Sequence, residues 1–426
     1  MKNSSNRKNA LFTSRFEGAA SALIAASTLF GAGSAHAETS VWADTSVNAR
    51  ISNNPYLLTG TNNDSASSTV SLAPGVSFND GTTTVNVTGQ VQHTEFFKRY
   101  GSTDSYSVNG SLNQRFNAKT GFRANLGYDS SVVGANDLLS SLNNGIPGGG
   151  IPGSGIPGGG NPGGGVLPPF PGDITLNGLR QRRTSFNGGL GLDYTASARD
   201  RWNIGSSFSI SQYPTGSVAS EYGYAAASLG YNRTLNGRTS IGFDVSVSQT
   251  DYRRTALGDA TTVSPQLWFT TKLDGGWSLT VSAGASRSSI REVVGRSNQT
   301  SLSGSVNLCQ SSQSGAFCLF GSSAVQPTSF GGVRPQTSVG ASYNARLDGR
   351  SSIGATVNYA RSSQSSIGAG RSVDYGNASI TYSHRITAKL QGYFTAGYAD
   401  SFRDTISRRA NADLTVGISY TFGERR

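Results

Sequence analysis

Residues 413–422 read Asp-Leu-Thr-Val-Gly-Ile-Ser-Tyr-Thr-Phe. Leu414, Val416, Ile418, Tyr420 and Phe422 fall on one parity, and Asp413, Thr415, Ser419 and Thr421 on the other. Successive side chains of an extended chain point to opposite faces, so this is a strand with one apolar and one polar side. The pattern recurs upstream: Val85, Val87 and Val91 alternate with Asn86, Thr88, Gln90 and Gln92, and Ile241, Phe243, Val245 and Val247 with Asp244, Ser246 and Ser248. A soluble sandwich alternates too, but its strands average about five or six residues, whereas these are expected to run about 9–13, enough to cross a bilayer at a tilt.

The connections carry a second signal. Short turns are expected at Asn79-Asp80-Gly81, Asn117-Ala118-Lys119, 197–200, Leu235-Asn236-Gly237, Asp274-Gly275-Gly276, 311–315, Asp348-Gly349 and Thr387-Ala388, several of them Asn-Gly or Asp-Gly pairs suited to tight hairpins. Longer polar connections lie between them, so short turns gather on one rim and long loops on the other, as in outer-membrane barrels. Eight turns and nine loops join eighteen strands. The fold class expected is therefore all-β: a transmembrane antiparallel up-and-down β-barrel of about 18 strands, within a range of 16–18. Tyr194, Tyr231, Tyr343, Tyr382 and Tyr420 stand just before short turns at one- or three-hairpin steps, and with Trp202 and Trp277 they form an expected interfacial girdle.

Composition agrees. Among 426 residues there are 55 Gly, 17 Tyr and one Met, and only 14% are charged, which leaves little helix. Residues 1–37 read as a cleaved signal peptide, with Lys2, Arg7, Lys8 and Arg15 before an apolar core from Ala19 to Phe30 and Ala35-His36-Ala37 as the cleavage site. No later stretch approaches the roughly 20 apolar residues of a spanning helix. Residues 38–426 are assigned to the barrel in the bacterial outer membrane. Without the signal the formal charge falls from +11 to about +8, four cations and Glu17 being lost. For an exported basic protein the expected contacts are lipids, lipopolysaccharide phosphates or an acidic glycan, and no nucleic acid.

Within the barrel, 144–173 is a Gly/Pro-rich low-complexity external loop built on Ile146-Pro147-Gly148-Gly149-Gly150 and its repeats. A tolerated insertion at a loop tip is the favoured reading, and a lid folded into the lumen the alternative. No catalytic, cofactor or metal site is expected, and the chain is read as no enzyme. His93 and His384 belong to opposite rims and cannot share a site, and Asp44, Asp129, Asp193, Asp244 and Asp413 are scattered singly on polar faces. Cys309 and Cys318 flank one short turn and are a disulfide candidate in an oxidising compartment. The inward faces, such as Ser107, Asn109, Ser111 and Asn113 or Asn377, Ser379 and Thr381, are small and neutral and offer hydrogen bonds in both directions, which suits a sugar chain or a general pore. Basic residues gather toward the loops. Arg99, Arg182, Arg183, Arg253, Arg254 and Arg334 are read either as contacts to lipopolysaccharide or as a rim that guides an anionic polymer.

Three segments carry a family likeness: Val47-Asn48-Ala49-Arg50-Ile51-Ser52-Asn53-Asn54-Pro55-Tyr56-Leu57, the Cys309/Cys318 hairpin, and Gln326-Pro327-Thr328-Ser329-Phe330-Gly331-Gly332-Val333-Arg334. In them the chain resembles the β-barrel porins encoded in exopolysaccharide gene clusters. The resemblance implies a pore or conduit for export of an exopolysaccharide, with polysaccharide and export machinery as partners. The alternative expectation is a general or substrate-specific diffusion porin, marked by a trimer interface and a fixed inward-folded loop. No catalytic residue is carried over, and the Ile-Pro-Gly array departs from the family pattern.

Overall fold

The computed structural model describes residues 38–133, 173–176, 178–253, 258–293, 295–363, 372–402 and 408–424. The signal segment 1–37, the loop 144–172, Arg254, Arg371 and Arg403 lie outside the described residues.

Eighteen strands alternate in direction around one sheet. The first nine are β1 (Glu38–Ser52), β2 (Ser65–Asn79), β3 (Thr83–Phe96), β4 (Ser102–Arg115), β5 (Thr120–Val132), β6 (Arg182–Thr195), β7 (Asp200–Gln212), β8 (Tyr222–Thr234) and β9 (Thr239–Tyr252). The remaining nine are β10 (Ala260–Lys272), β11 (Trp277–Arg291), β12 (Arg296–Ser311), β13 (Gly315–Pro327), β14 (Val333–Arg346), β15 (Ser351–Ser362), β16 (Val373–Arg385), β17 (Leu390–Phe402) and β18 (Asn411–Gly423). Each pairs antiparallel with its sequence neighbours, and β1 pairs with both β2 and β18, so the sheet closes without a free edge. This is the architecture of bacterial outer-membrane barrels.

The wall obeys the period-two reading. In β18, Leu414, Val416, Ile418, Tyr420 and Phe422 face outward and exposed, while Asp413 and Gly417 are buried on the lumen side. Tyr194, Tyr343, Tyr382 and Tyr420 are exposed near the ends of their strands, and the rings of Trp202 and Tyr231 approach to 4.8 Å. An amphipathic ring is stable where hydrocarbon meets headgroup, so these side chains mark one membrane boundary.

The strands run from 12 residues in β15, within the 9–13 expected, to 16 in β12, beyond it. The excess lies above the apolar band. Outward side chains of β9 run Ile241, Phe243, Val245, Val247 and then Gln249 and Asp251, so pairing continues after the lipid-facing pattern has ended.

On one rim the connections are three or four residues long, at 80–82, 116–119, 196–199, 235–238, 273–276, 312–314, 347–350 and 386–389. Most are closed by a single side chain that accepts two backbone N–H groups. Asp80 Oδ1 accepts from Thr82 and Thr83 at 2.9 and 2.6 Å, and Asn117 Oδ1 from Lys119 and Thr120 at 2.8 and 2.9 Å. Asn236 does the same for Arg238 and Thr239, Asp348 for Arg350 and Ser351, and the Ser197 hydroxyl for Arg199 and Asp200. This is the local reason Asn, Asp and Ser stand at these turns. The backbone N–H groups hold the carboxyls of Asp80 and Asp348 below the ordinary carboxylate range.

Candidate functional site: the loop-side mouth and the lumen beneath it

On the opposite rim the connections bond to each other across the opening. Asn54, fully buried, is the second residue of the 53–64 connection. Its backbone N–H donates to Asn411 Oδ1 at 3.1 Å, and its side-chain amide donates to the carbonyls of Leu58 and Arg409 at 3.0 and 2.7 Å. Leu58 N–H returns a bond to Asn54 Oδ1 at 2.9 Å. Held in this way, the turn drives Leu57 into the mouth, where it is 0% exposed at φ 52°. A left-handed leucine costs about 1–2 kcal/mol, which burial of its side chain, worth roughly 1.5–3 kcal/mol, offsets.

Leu57 meets Ile174, also 0% exposed, and both pack on Ala360, Tyr375 and Ala399 of β15, β16 and β17. Ile174 belongs to a single 3-10 turn, Ile174–Leu176, in the long β5–β6 connection, and that connection re-enters the wall at Arg182. β6 and β15 are nine strands apart in a ring of eighteen. Residues 173–176 and 178–181 therefore lie across the mouth, between one wall and the opposite one. Leu176 is buried with Val133, Tyr213 and Ala219, and Leu179 packs against them. The Arg180 guanidinium lies 5.2 Å from the ring centre of Tyr56 and 4.9 Å from that of Tyr100, and donates to the Tyr100 carbonyl.

A second crossing joins the β7–β8 and β13–β14 connections. Tyr213 Oη and Ser329 Oγ are 2.6 Å apart, Ser220 N–H donates to the Ser329 carbonyl at 2.6 Å, and Ser329 N–H donates to Asp173 Oδ2 at 2.6 Å. The Tyr252 hydroxyl sits 2.7 Å from the carbonyls of both Thr328 and Gly332 and accepts from Thr328 N–H at 3.3 Å. Burial pushes the Tyr213 hydroxyl well above its ordinary pKa, so it stays a neutral hydrogen-bonding group. Asp173 was expected to end an external loop. It is buried inside the mouth instead, because its carboxylate accepts N–H bonds from Thr175 and Ser329. Two of the three segments of the family likeness, Val47 to Leu57 and Gln326 to Arg334, contribute Asn54, Leu57 and Ser329 to this closure.

Below the mouth, the lumen wall pairs charges that looked single in the sequence. Arg50 lies 3.2 Å from Asp413, Arg123 lies 2.8 Å from Asp193, and Arg183 lies 3.8 Å from Asp129. Each pair is diagonal on adjoining strands: Arg123 is opposite Gly191 and Asp193 opposite Gly121. Asp44 accepts from Thr421 Oγ1 at 2.6 Å. Four lumen-facing aromatic rings lie against glycines of the next strand, Trp42 on Gly75, Trp268 on Gly242, Phe320 on Gly340 and Tyr393 on Gly417, where a Cβ would stand within 2.3–2.5 Å of the ring.

The six arginines read as one rim occupy different surroundings. Arg99 is exposed in the 97–101 connection at φ 66°, and Arg253 is exposed beyond the end of β9. Arg182 faces outward and donates to Ser130 Oγ at 3.1 Å and to the Asp104 carbonyl at 2.7 Å. Arg183 is on the lumen side, and Arg334, also lumen-facing, is only 3% exposed. Arg254 lies outside the described residues. The alternation of the strands separates Arg182 from Arg183, so proximity in sequence puts them on opposite faces. Cys309 and Cys318 are directly opposed on β12 and β13 and joined by a disulfide on the turn side of the lumen. His93 is bonded to Asp104 at 2.7 Å near the loop end of β3, and His384 to Ser351 at 2.9 Å near a short turn.

The residues that build the mouth were missed in the sequence. Their signal was apolar side chains inside otherwise polar connections: Tyr56 and Leu57, Ile174 and Leu176, Tyr213.

Fold and site together define a closed transmembrane β-barrel with a polar lumen and a mouth crossed by its own loops. No protein-family model and no curated protein matches the chain. Among solved structures it is similar to Pseudomonas aeruginosa OccK2 (OpdF), at 10% identity and TM-score 0.47 over 91% of this chain and 98% of that one. Pseudomonas aeruginosa OpdL is similar at 10% identity and TM-score 0.46, covering 91% and 99%, and Acinetobacter baumannii OccAB4 at 10% and 0.43, covering 91% and 98%. At these values the likeness says nothing of substrate or partner.

Proposed function

We propose that this chain is an outer-membrane channel for small hydrophilic solutes, selective because its mouth is crossed by inward-folded loops. The observation that carries the reading is the Ile174–Leu176 turn, seated through Ile174 on the wall opposite the strand it leads into. A polymer conduit needs a continuous bore along which successive units can follow one another. Two crossings at the mouth, each tied by buried side chains and hydrogen bonds, favour a passage that admits one small molecule at a time. The inward-folded loop was one of the two marks expected of the diffusion porin, so exopolysaccharide export, which the family likeness implied, becomes the second reading.

In this proposal residues 1–37 direct export, the outward apolar band contacts lipid, and outward polar groups above it, such as Arg182, meet lipopolysaccharide headgroups. The lumen supplies neutral hydroxyls and amides with three fixed ion pairs, which orient polar solutes without holding them tightly. The barrel is assigned no chemistry of its own.

The test is reconstitution into planar bilayers and liposomes, beside a clean deletion strain. Ion conductance with uptake of monosaccharides or amino acids but no dextran, and unchanged secretion of polysaccharide, is the expected result. Loss of polymer outside the deletion strain, with accumulation in its periplasm, would overturn the solute channel and restore the export reading.

A further inference from the structure

The last inward-facing residue of each strand on the turn rim lines the opening of the lumen opposite the closed mouth. Strand register fixes these residues, since a side chain shares its face with its Cα partners on the adjoining strands. Arg115 ends β4 in register with Gly121, on the same face as Asn113 and Arg123. Arg201 stands at the start of β7 opposite Asn232, and Lys272 ends β10 opposite Ser278. Arg346 ends β14 opposite Ser352, and Arg385 ends β16 opposite Gln391. Arg115, Lys272, Arg346 and Arg385 are exposed and Arg201 is half-buried, so water and solutes reach all five.

Deeper in the bore, cations are matched: Arg50 pairs with Asp413, Arg123 with Asp193 and Arg183 with Asp129. Among the described residues no salt bridge joins any of the five rim cations to a carboxylate. Glu38 is the one acidic side chain at the corresponding positions of the described strands. Arg233, a further cation at a turn-side strand end, points outward and stands opposite Asp200. The pleat therefore gathers these cations on the lumen face and leaves the outward one beside a carboxylate. In the turns themselves Arg238 is paired with Asp274 at 2.7 Å, and Asp80 and Asp348 are engaged by their own backbone N–H groups.

β14 and β16 are two strand spacings apart, so about 10 Å of wall separates Arg346 from Arg385. That is about one Debye length at 0.1 M salt, and the two fields overlap. Rings of Arg or Lys make a pore anion-selective, because an entering cation is repelled and an entering anion attracted. We infer that Arg115, Arg201, Lys272, Arg346 and Arg385 form an anion filter at the turn-side opening, in series with the loops that sort solutes by size at the other end. The inference rests on the solute-channel reading and names the solute class, small anions. The short-turn rim of outer-membrane barrels faces the periplasm, so the filter acts where an inward-bound solute leaves the lumen.

Reversal potentials of the full-length barrel in planar bilayers under a KCl gradient test the filter. The native protein is expected to pass chloride about threefold better than potassium at low salt, the ratio set up by a ring potential near half of kT per unit charge. The preference should fade near 1 M salt, where the screening length shortens to about 3 Å. Arg346→Gln/Arg385→Gln should lower the ratio, and replacing all five cations by Gln should erase it. Arg233→Gln, on the outward face, should leave it unchanged. Heat-modifiable gel migration checks that each variant is a folded barrel. Potassium preference or no preference in the native protein, an unchanged ratio in the five-fold variant, or an equal loss in Arg233→Gln would overturn the filter. Leu57→Ser/Ile174→Ser, which loosens the mouth without adding charge, separates the two readings. Current that appears only in that variant and favours chloride would sink the channel reading and leave the filter standing. No current from either protein would overturn both.

Discussion

The two rims of this barrel are made of similar residues and organised in opposite ways. On the turn rim most connections close on themselves: the Asp80, Asn117, Asn236 and Asp348 side chains each accept from N–H groups two and three residues ahead. On the loop rim the bonds are long-range, Asn54 reaching Arg409 and Asn411, Tyr213 reaching Ser329, and Ser329 reaching Asp173. A self-contained turn needs only to reverse the chain. A connection bonded to distant partners fixes the shape of an opening, and the second kind of rim is where selection between solutes can be built.

The strongest way to break this contrast is to release the mouth. Leu57→Asp with Ile174→Asp removes two buried side chains worth roughly 1.5–3 kcal/mol each and sets charges against Ala360, Tyr375 and Ala399. Single-channel conductance should rise several-fold with loss of size selectivity, while the barrel still folds. Unchanged conductance would show that the crossings do not control passage.

Removing the disulfide probes the other end. Cys309→Ser/Cys318→Ser frees a hairpin with a sequence separation of 9, so unfolding in denaturant should become easier by about 2–3 kcal/mol. Conductance should stay as it was, because the mouth is at the far rim. A conductance change matching that of the released mouth would mean the two ends are coupled.

A smaller effect is expected of Tyr213→Phe, which deletes the hydroxyl facing Ser329 Oγ and should cost about 1 kcal/mol at that contact. Hydrogen exchange should quicken at 328–332 and leave the turns at 80–82 and 347–350 unaltered. Quickening at both rims would contradict the local character of the turns.

The smallest effect concerns pH. Asp80 and Asp348 titrate below the ordinary carboxylate value of about 3.9 in the folded turn. Their contribution is complete above that value and is lost as pH falls through the lower folded value. Amide protection at Thr82, Thr83, Arg350 and Ser351 should therefore fall only under strong acid. Asp80→Asn should remove the pH dependence at its turn while keeping the turn itself, since the amide oxygen can accept the same bonds.

Much of the barrel was legible in the sequence because its causes are local. Alternation in β18 or β9 sets which side chains face lipid, and Asn-Gly and Asp-Gly pairs mark where the chain reverses. These cues sufficed for the strand number, the two rims and the girdle tyrosines, and they set Cys309 and Cys318 near each other. They did not reach the ends of the strands, because pairing outlasts the lipid-facing pattern, as Gln249 and Asp251 show.

The site was far less legible. Arg123 and Asp193 are 70 residues apart and meet only because β5 and β6 pair in one register. Arg182 and Arg183 looked like one basic patch until the pleat sent them to opposite faces of the wall.

The sequence by itself determined a closed, lipid-facing barrel with small polar groups inside, since period-two alternation and self-capped turns depend on residues a few positions apart. Only the tertiary structure decided that Leu57 and Ile174 would pack together on the far wall and that Ser329 would bond to Tyr213 and Asp173 across the mouth. Those contacts join segments hundreds of residues apart, and no local propensity encodes which loop will find which wall once the ring has closed.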